Sequence, residues 1–189
     1  QGLPVYDPNS MQLGDLPIYI AGDVNGSKQI LHEAGDEGKI AGYNAARNSS
    51  VRFKRKTPLG ITFCDPNIVT VGADWSTLAD NPKVVVGEMR MGPVGRALIM
   101  GKNKGVMRVY VDKTNAQLLG ATLVSVKGEN VGHLLAWAIQ QELMVYDILR
   151  LPFYHPVIEE ALQACFYDVL SKLELPSTSR ILELEELTE

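Results

Sequence analysis

Cysteine is scarce in this sequence. Two occur in 189 residues, Cys64 and Cys165, too few and too far apart for a disulfide framework or a cysteine-built metal site. No Cys-x-x-Cys and no Cys-x-x-x-x-Cys is present, so the chain carries no redox pair of neighbouring thiols. A Gly-x-Gly-x-x-Gly after a strand and a Walker loop are missing too, which excludes a complete dinucleotide fold within these residues. Nor is there a basic excess: 18 Lys and Arg stand against 22 Asp and Glu, and a net charge of −4 points away from a nucleic-acid partner. No apolar run approaches the roughly 18 residues of a membrane span, and the N-terminus lacks a signal-peptide pattern. A reducing, cytoplasmic setting without a membrane partner is the expectation.

What is present is ordinary globular material, 46% hydrophobic, enough for one domain of roughly 100 to 200 residues and a piece of another. Residues 1–15 hold the turn signal Asp7-Pro8-Asn9-Ser10 and read as a lead-in with little core. Leu16 to Ala21 is a continuous apolar run stopped by Gly22-Asp23, the pattern of a short buried strand. From about Gln29 to Asn48 the chain reads as a helix, with Ile30, Leu31, Ala34, Ile40, Ala41 and Ala45 among Glu33, Asp36, Glu37 and Lys39. A strand ending in a carboxylate, a glycine-bearing loop and a helix start can hold the polar tail of a nucleotide, because the carboxylate accepts from hydroxyls and free helix amides face anionic oxygens. The same pattern also describes a plain strand-loop-helix. Ser49, Ser50 and the basic run Arg52, Lys54, Arg55 and Lys56 then read as a solvated linker, with a domain boundary near residue 56.

Two short strands are predicted around Gly60–Cys64 and Ile68–Gly72, parted by the turn Asp65-Pro66-Asn67, with Cys64 expected as a buried structural thiol. A short helical segment at Trp75–Asp80 and a strand at Val84–Met89 follow. Met89, Met91 and Met100 around Gly92-Pro93-Val94-Gly95 suggest a flexible, partly buried loop. Gly105–Val111 and Leu118–Val126 flank Asp112–Asn115 and form an antiparallel hairpin. The helix from Gly128 to about Glu142 has so little polar face that burial on most sides is expected, with His133 a core or interface residue.

The last helix carries the chemistry. In Leu151-Pro152-Phe153-Tyr154-His155-Pro156-Val157-Ile158-Glu159-Glu160, His155 precedes a proline, which favours an extended backbone, and Pro156 suits the first position of a helix. Glu160, about one turn inside, can reach back to the imidazole. Ile158, Ala161, Leu162, Cys165, Phe166, Val169, Leu170 and Leu173 form one apolar stripe, while Val157, Glu160, Ala164, Tyr167 and Ser171 on the opposite side predict a second packed body. Spacing alone leaves open a simple cap with an incidental charge pair.

His-Pro-x-x-x-Glu after an extended Leu-Pro-aromatic segment resembles the C-terminal signature of the flavin-dependent pyridine nucleotide-disulfide oxidoreductases, the dihydrolipoamide dehydrogenase branch above all. The usual form is His-x-His-Pro-Thr-x-x-Glu, from which the chain departs at Phe153 and Val157 and to which it conforms at His155, Pro156 and Glu160. Tyr19-Ile20-Ala21-Gly22-Asp23 followed by His32-Glu33-Ala34-Gly35-Asp36-Glu37-Gly38 is similar to the second flavin-binding fingerprint of the same family.

The resemblance implies the C-terminal part of such an enzyme. Residues 1–48 would be the end of the FAD-binding domain, 49–59 a linker and 60–175 the dimerisation domain; residues 176–189 read, by their Ser- and Glu-rich composition alone, as a solvated, partly ordered acidic tail in which Leu182, Leu184 and Leu187 are expected to dock weakly. The implied fold is α+β, an antiparallel sheet with helices packed on one face, preceded by a strand-helix remnant of the flavin-binding domain. It implies FAD and NAD(P) in the parent protein, a homodimer, and a small dithiol or disulfide substrate. His155 would be the acid/base and Glu160 its orienting carboxylate, both serving the partner subunit. Asp23 would hold a ribityl hydroxyl, with the amides near Gln29, Ile30 and Leu31 facing the isoalloxazine and His32 as packing. Two other readings remain at this stage: a homodimerisation module that catalyses nothing on its own, and a small hydrolase using Cys64 or Cys165 with His155.

Overall fold

The computed structural model describes residues 2–173 together with 181, 183, 184 and 187. Most of the acidic tail, including Leu182, lies outside the described residues. The chain divides into two compact units, Gln1–Lys56 and Thr57–Glu189.

The first unit is built on one helix, α1 (Leu31–Ala45), preceded by a 3-10 turn at Asp23–Asn25. The strand expected over residues 16–23 does not form. It is reduced to a single antiparallel bridge between Gln12 and Tyr19, with Leu16 and Ile18 about half exposed. A strand needs a neighbour to satisfy its backbone, and here the segment folds back only on residues 11–13, through Leu13 N–H to Ile18 O and Ile20 N–H to Met11 O. The lead-in supplies core after all, since Met11 and Ser10 are buried. The buried stripe of α1 is Glu37, Ile40 and Asn44, polar at two of its three positions. Asn44 holds Ser10 O and both backbone groups of Val51 at 2.9 Å. Arg55 is not solvated as expected of a linker residue but pairs with Glu33 at 2.7 Å and Glu37 at 3.3 Å.

The second unit is α+β. Five strands, β1 (Leu59–Thr62), β2 (Asn67–Gly72), β3 (Val84–Arg90), β4 (Val106–Asp112) and β5 (Leu118–Ser125), form a wholly antiparallel sheet in the order β1-β2-β5-β4-β3. The register aligns Val69 with Leu123, Leu123 with Met107, and Met107 with Met89. A parallel row runs through Val71, Ala121, Val109 and Gly87. Because strand side chains alternate, these rows make one apolar face, and the two long helices cover it. Helix α4 (Gly128–Gln140) packs on β1, β2 and β5, and α6 (Glu160–Leu170) packs on β3 and β4. Both contacts depend on missing side chains: a Cβ on Gly132 would stand 2.7 Å from Val69 Cγ1, and one on Gly87 would strike the Cys165 carbonyl. Among the described residues three short helices, α2 (Trp75–Leu78), α3 (Gly95–Ile99) and α5 (Val145–Leu149), accompany the two long ones.

Several expectations need correction. Cys64 is exposed, because it falls in the loop between β1 and β2, where its thiol lies on Thr62 O and Pro66 O. The methionine-rich segment is not a flexible loop: Met91, Val94 and Ala97 anchor α3 in the core. Helix α4 is not buried on most sides, since Leu134 is 42% and Trp137 64% exposed, and His133 is exposed beside them. The apolar stripe of α6 is as expected, with Ile158 to Val169 in the core and Leu170 and Leu173 half-buried against it. No helix among the described residues is long and apolar enough to cross a membrane.

Candidate functional site

Pro156 does not open α6. The helix starts at Glu160, and residues 155–159 form a turn ahead of it. Glu160 is therefore the first helical residue, not one a turn inside, and its carboxylate reaches back over the turn. Oε2 accepts the Val157 N–H at 3.0 Å and Oε1 meets His155 Nδ1 at 2.7 Å. A carboxylate at a helix start also faces the positive end of the macrodipole.

The His155 hydrogen bond, with the Val157 amide second, holds the Glu160 carboxyl below the usual carboxylate range. An ionised carboxylate only accepts, so Nδ1 is the donor and Nε2 is left for other work. The imidazole is 78% exposed while Glu160 is 30% exposed, so the ring stands out from its own chain on a partly sheltered support. Beside it runs an apolar groove of about 490 Å³ lined by Leu134, Trp137, Phe153, Tyr154, Val157 and Leu162 among others. Phe153 packs half-buried against the core, and Tyr154 is exposed.

Neither cysteine joins His155. Burial, aided by Asp168 and Glu88, pushes the Cys165 thiol up to about 12, and its sulfur lies against Met107 O at 3.5 Å. A thiol that stays protonated is a poor nucleophile.

In the first unit Asp23 is exposed at the start of the 3-10 turn, next to Gly22 with φ 79°. Gln29 is exposed, and Ile30 occupies the N-cap position of α1 in an extended conformation with no side-chain cap. Leu31, the first helical residue, is 87% exposed, and His32 is exposed instead of packed. The first turn of α1 thus lacks a side-chain cap, the Ile30 N–H being given to Lys28 O at 2.9 Å, and Asp23 stands exposed on the turn that precedes it in the chain. In the sequence Glu37 stands with Glu33, Asp36 and Lys39 among the polar residues of this helix. Its alignment with Ile40 and Asn44 at the helical period was the signal that it lies inside.

The dimerisation domain of the pyridine nucleotide-disulphide oxidoreductases matches residues 59–165, more than half of the chain. The chain is 28% identical over 162 residues to dihydrolipoyl dehydrogenase of Rhizobium etli, covering 82% of this chain and 33% of that protein. With dihydrolipoyl dehydrogenase of Mycobacterium leprae it shares 30% over 169 residues, covering 86% and 35%. Among solved structures, the HOCl-induced flavoprotein disulfide reductase RclA from Escherichia coli has the same fold, with a TM-score of 0.71 at 24% identity over 88% of this chain and 38% of that one. The chain spans about a third of the length of the curated relatives it matches.

Proposed function

This chain belongs to the pyridine nucleotide-disulphide oxidoreductases through their dimerisation domain, and from that we propose that it is the pairing and site-completing portion of a flavin- and NAD(P)-dependent dithiol-disulfide oxidoreductase. Among its relatives are dihydrolipoyl dehydrogenases, so a small dithiol is the substrate class we assign. The observation that carries the reading is the exposed His155 ring held by Glu160, whose second oxygen is fixed on the Val157 amide.

The role follows from the chemistry. A dithiol reduces a disulfide only after one thiol gives up its proton. His155 Nε2 takes that proton as the thiolate attacks, and returns it when the reaction runs backward. Glu160 orients the ring and stabilises the imidazolium. Because the ring faces away from its own chain, the sulfur chemistry it serves belongs to a partner subunit in a homodimer. The exposed Leu134 and Trp137 that line the groove are suited to that contact.

FAD, which supplies two-electron transfer when bound, fits the first unit by its donor set. Asp23 would accept from a ribityl hydroxyl, and backbone amides near Gln29, Ile30 and Leu31 would face the flavin ring, the Ile30 N–H exchanging its present acceptor, Lys28 O at 2.9 Å, for the ligand. On this reading residues 1–48 close a flavin-binding domain, 49–59 link the domains and 60–175 form the pairing domain. The isolated chain is then a homodimerisation module that neither binds flavin nor turns over, and its purified form should show no absorbance near 450 nm.

The test is His155→Gln in the full-length protein. Dithiol-disulfide turnover should fall by two orders of magnitude or more, roughly the contribution of a positioned acid/base, while stopped-flow reduction of the flavin by NADH stays near the parent rate. Unchanged turnover would refute the assignment.

A further inference from the structure

Glu37 is the one carboxylate among the described residues that is buried, at 3% exposure. Its two oxygens do different things. Oε2 accepts the Gly22 N–H at 2.7 Å and Asn25 Nδ2 at 2.8 Å. Oε1 receives the Arg55 guanidinium at 3.4 Å from Nη1 and 3.3 Å from Nη2. Asn25, itself buried, passes the constraint on by accepting the Ser27 N–H at 2.9 Å, and Gly26 N–H closes the turn on Asp23 O at 3.1 Å.

The arrangement brackets Asp23. Gly22 lies one residue before it and Asn25 two after, and both end on the same carboxylate oxygen. Gly22 sits at φ 79°, where glycine has wide backbone freedom, so beyond the turn's own bonds, Asn25 N–H to Gly22 O and Gly26 N–H to Asp23 O, Glu37 is what ties the turn to the helix. A buried charge is costly unless partners surround it, and Arg55, Asn25 and the Gly22 amide supply them.

We infer that Glu37 is a positioning residue for the cofactor-side turn: it ties down the Gly22 amide before Asp23 and the Asn25 side chain after it, so that the Asp23 carboxylate stands ready for a ligand hydroxyl. The inference rests on the reading of Asp23 given above. Preorganisation of this kind saves the ordering cost that binding would otherwise meet.

The test uses the full-length protein with Glu37→Ala, Glu37→Gln and Asp23→Asn. Two quantities are read: the dissociation constant of added FAD for the flavin-free protein, and amide hydrogen exchange in that flavin-free form. In Glu37→Ala, exchange at Gly22 and Ser27 should quicken about tenfold or more while the amides of Ala41 to Ala45 keep their protection, and FAD should bind about tenfold more weakly. Glu37→Gln retains an acceptor for Gly22 and should recover most of both effects. If the alanine variant does not fold, Glu37→Asp, which keeps the charge and withdraws it by one methylene, should show the same local loosening. FAD binding unchanged in Glu37→Ala but weakened in Asp23→Asn overturns the inference and leaves the Asp23 reading standing. Binding unchanged in Asp23→Asn overturns that reading and the inference with it. Protection lost throughout α1 marks a merely structural role and also overturns it.

Discussion

Asp168 Oδ2 accepts the backbone N–H of Glu88 at 2.8 Å, although the two residues stand 80 apart in sequence. Strand β3 is an edge of the sheet, and Val86 and Glu88 turn their backbone groups away from β4. Lys172 Nζ covers the Val86 carbonyl at 2.8 Å and is itself paired with Asp168 at 2.6 Å. Two charged side chains at the end of α6 thus occupy the hydrogen-bonding positions that a foreign strand would use. Asp168→Ala should reopen that edge. We expect a loss of roughly 1 to 2 kcal/mol, the scale of a part-exposed hydrogen bond to a charged group, read as a lower urea midpoint. Sedimentation velocity should also show species larger than those of the parent, growing with concentration. An unaltered size distribution would mean that the edge is protected by something else.

The two thiols should differ sharply in reactivity. Cys64 is exposed, whereas Cys165 is buried with its pKa pushed up to about 12, first by desolvation and then by the charges of Asp168 and Glu88. At pH 8 a disulfide reagent should therefore titrate one thiol per chain in the native protein and two in denaturant. Cys64→Ser should abolish the native reaction. Two fast thiols in the folded protein would contradict the placement of Cys165 under Gly87.

Alternation and helical period made most of the second unit legible in the sequence. Val69 and Val71, the hairpin of β4 and β5, and the stripe from Ile158 to Val169 all report a buried face directly. Two kinds of feature escaped. Residues 16–23 have strand composition but only the Gln12 to Tyr19 bridge, because composition reports what a strand could bury and not whether a neighbouring strand is there to pair with it. Burial of charge was also hidden: Glu37 and Arg55 look like surface residues until the fold brings them together. Within the candidate site, the spacing of His155 and Glu160 pointed to their contact. The helix start was misplaced because the turn of residues 155–159 delays it to Glu160.

The pH dependence of that contact has a definite sign. Glu160 is held below the usual carboxylate range, chiefly by the hydrogen bond from His155 and next by the Val157 amide. A depressed carboxyl contributes stability that is fully present above its unfolded pKa, about 4.3, and is lost as pH falls through the folded value. Glu160→Ala removes the contribution outright, so the stability gap between parent and variant should be open at pH 6 and close progressively below about pH 4. Because Glu160 is 30% exposed, solvent screening keeps the gap to about 1 kcal/mol or less. Urea unfolding at a series of pH values measures it, and the His155 ring resonances give an independent view, since their coupling to a carboxyl titration must vanish in the variant. A gap constant from pH 6 to pH 3 would show that the Val157 turn is stabilised by packing and that the Glu160 charge adds nothing, which would also remove the electrostatic support assigned to the imidazolium.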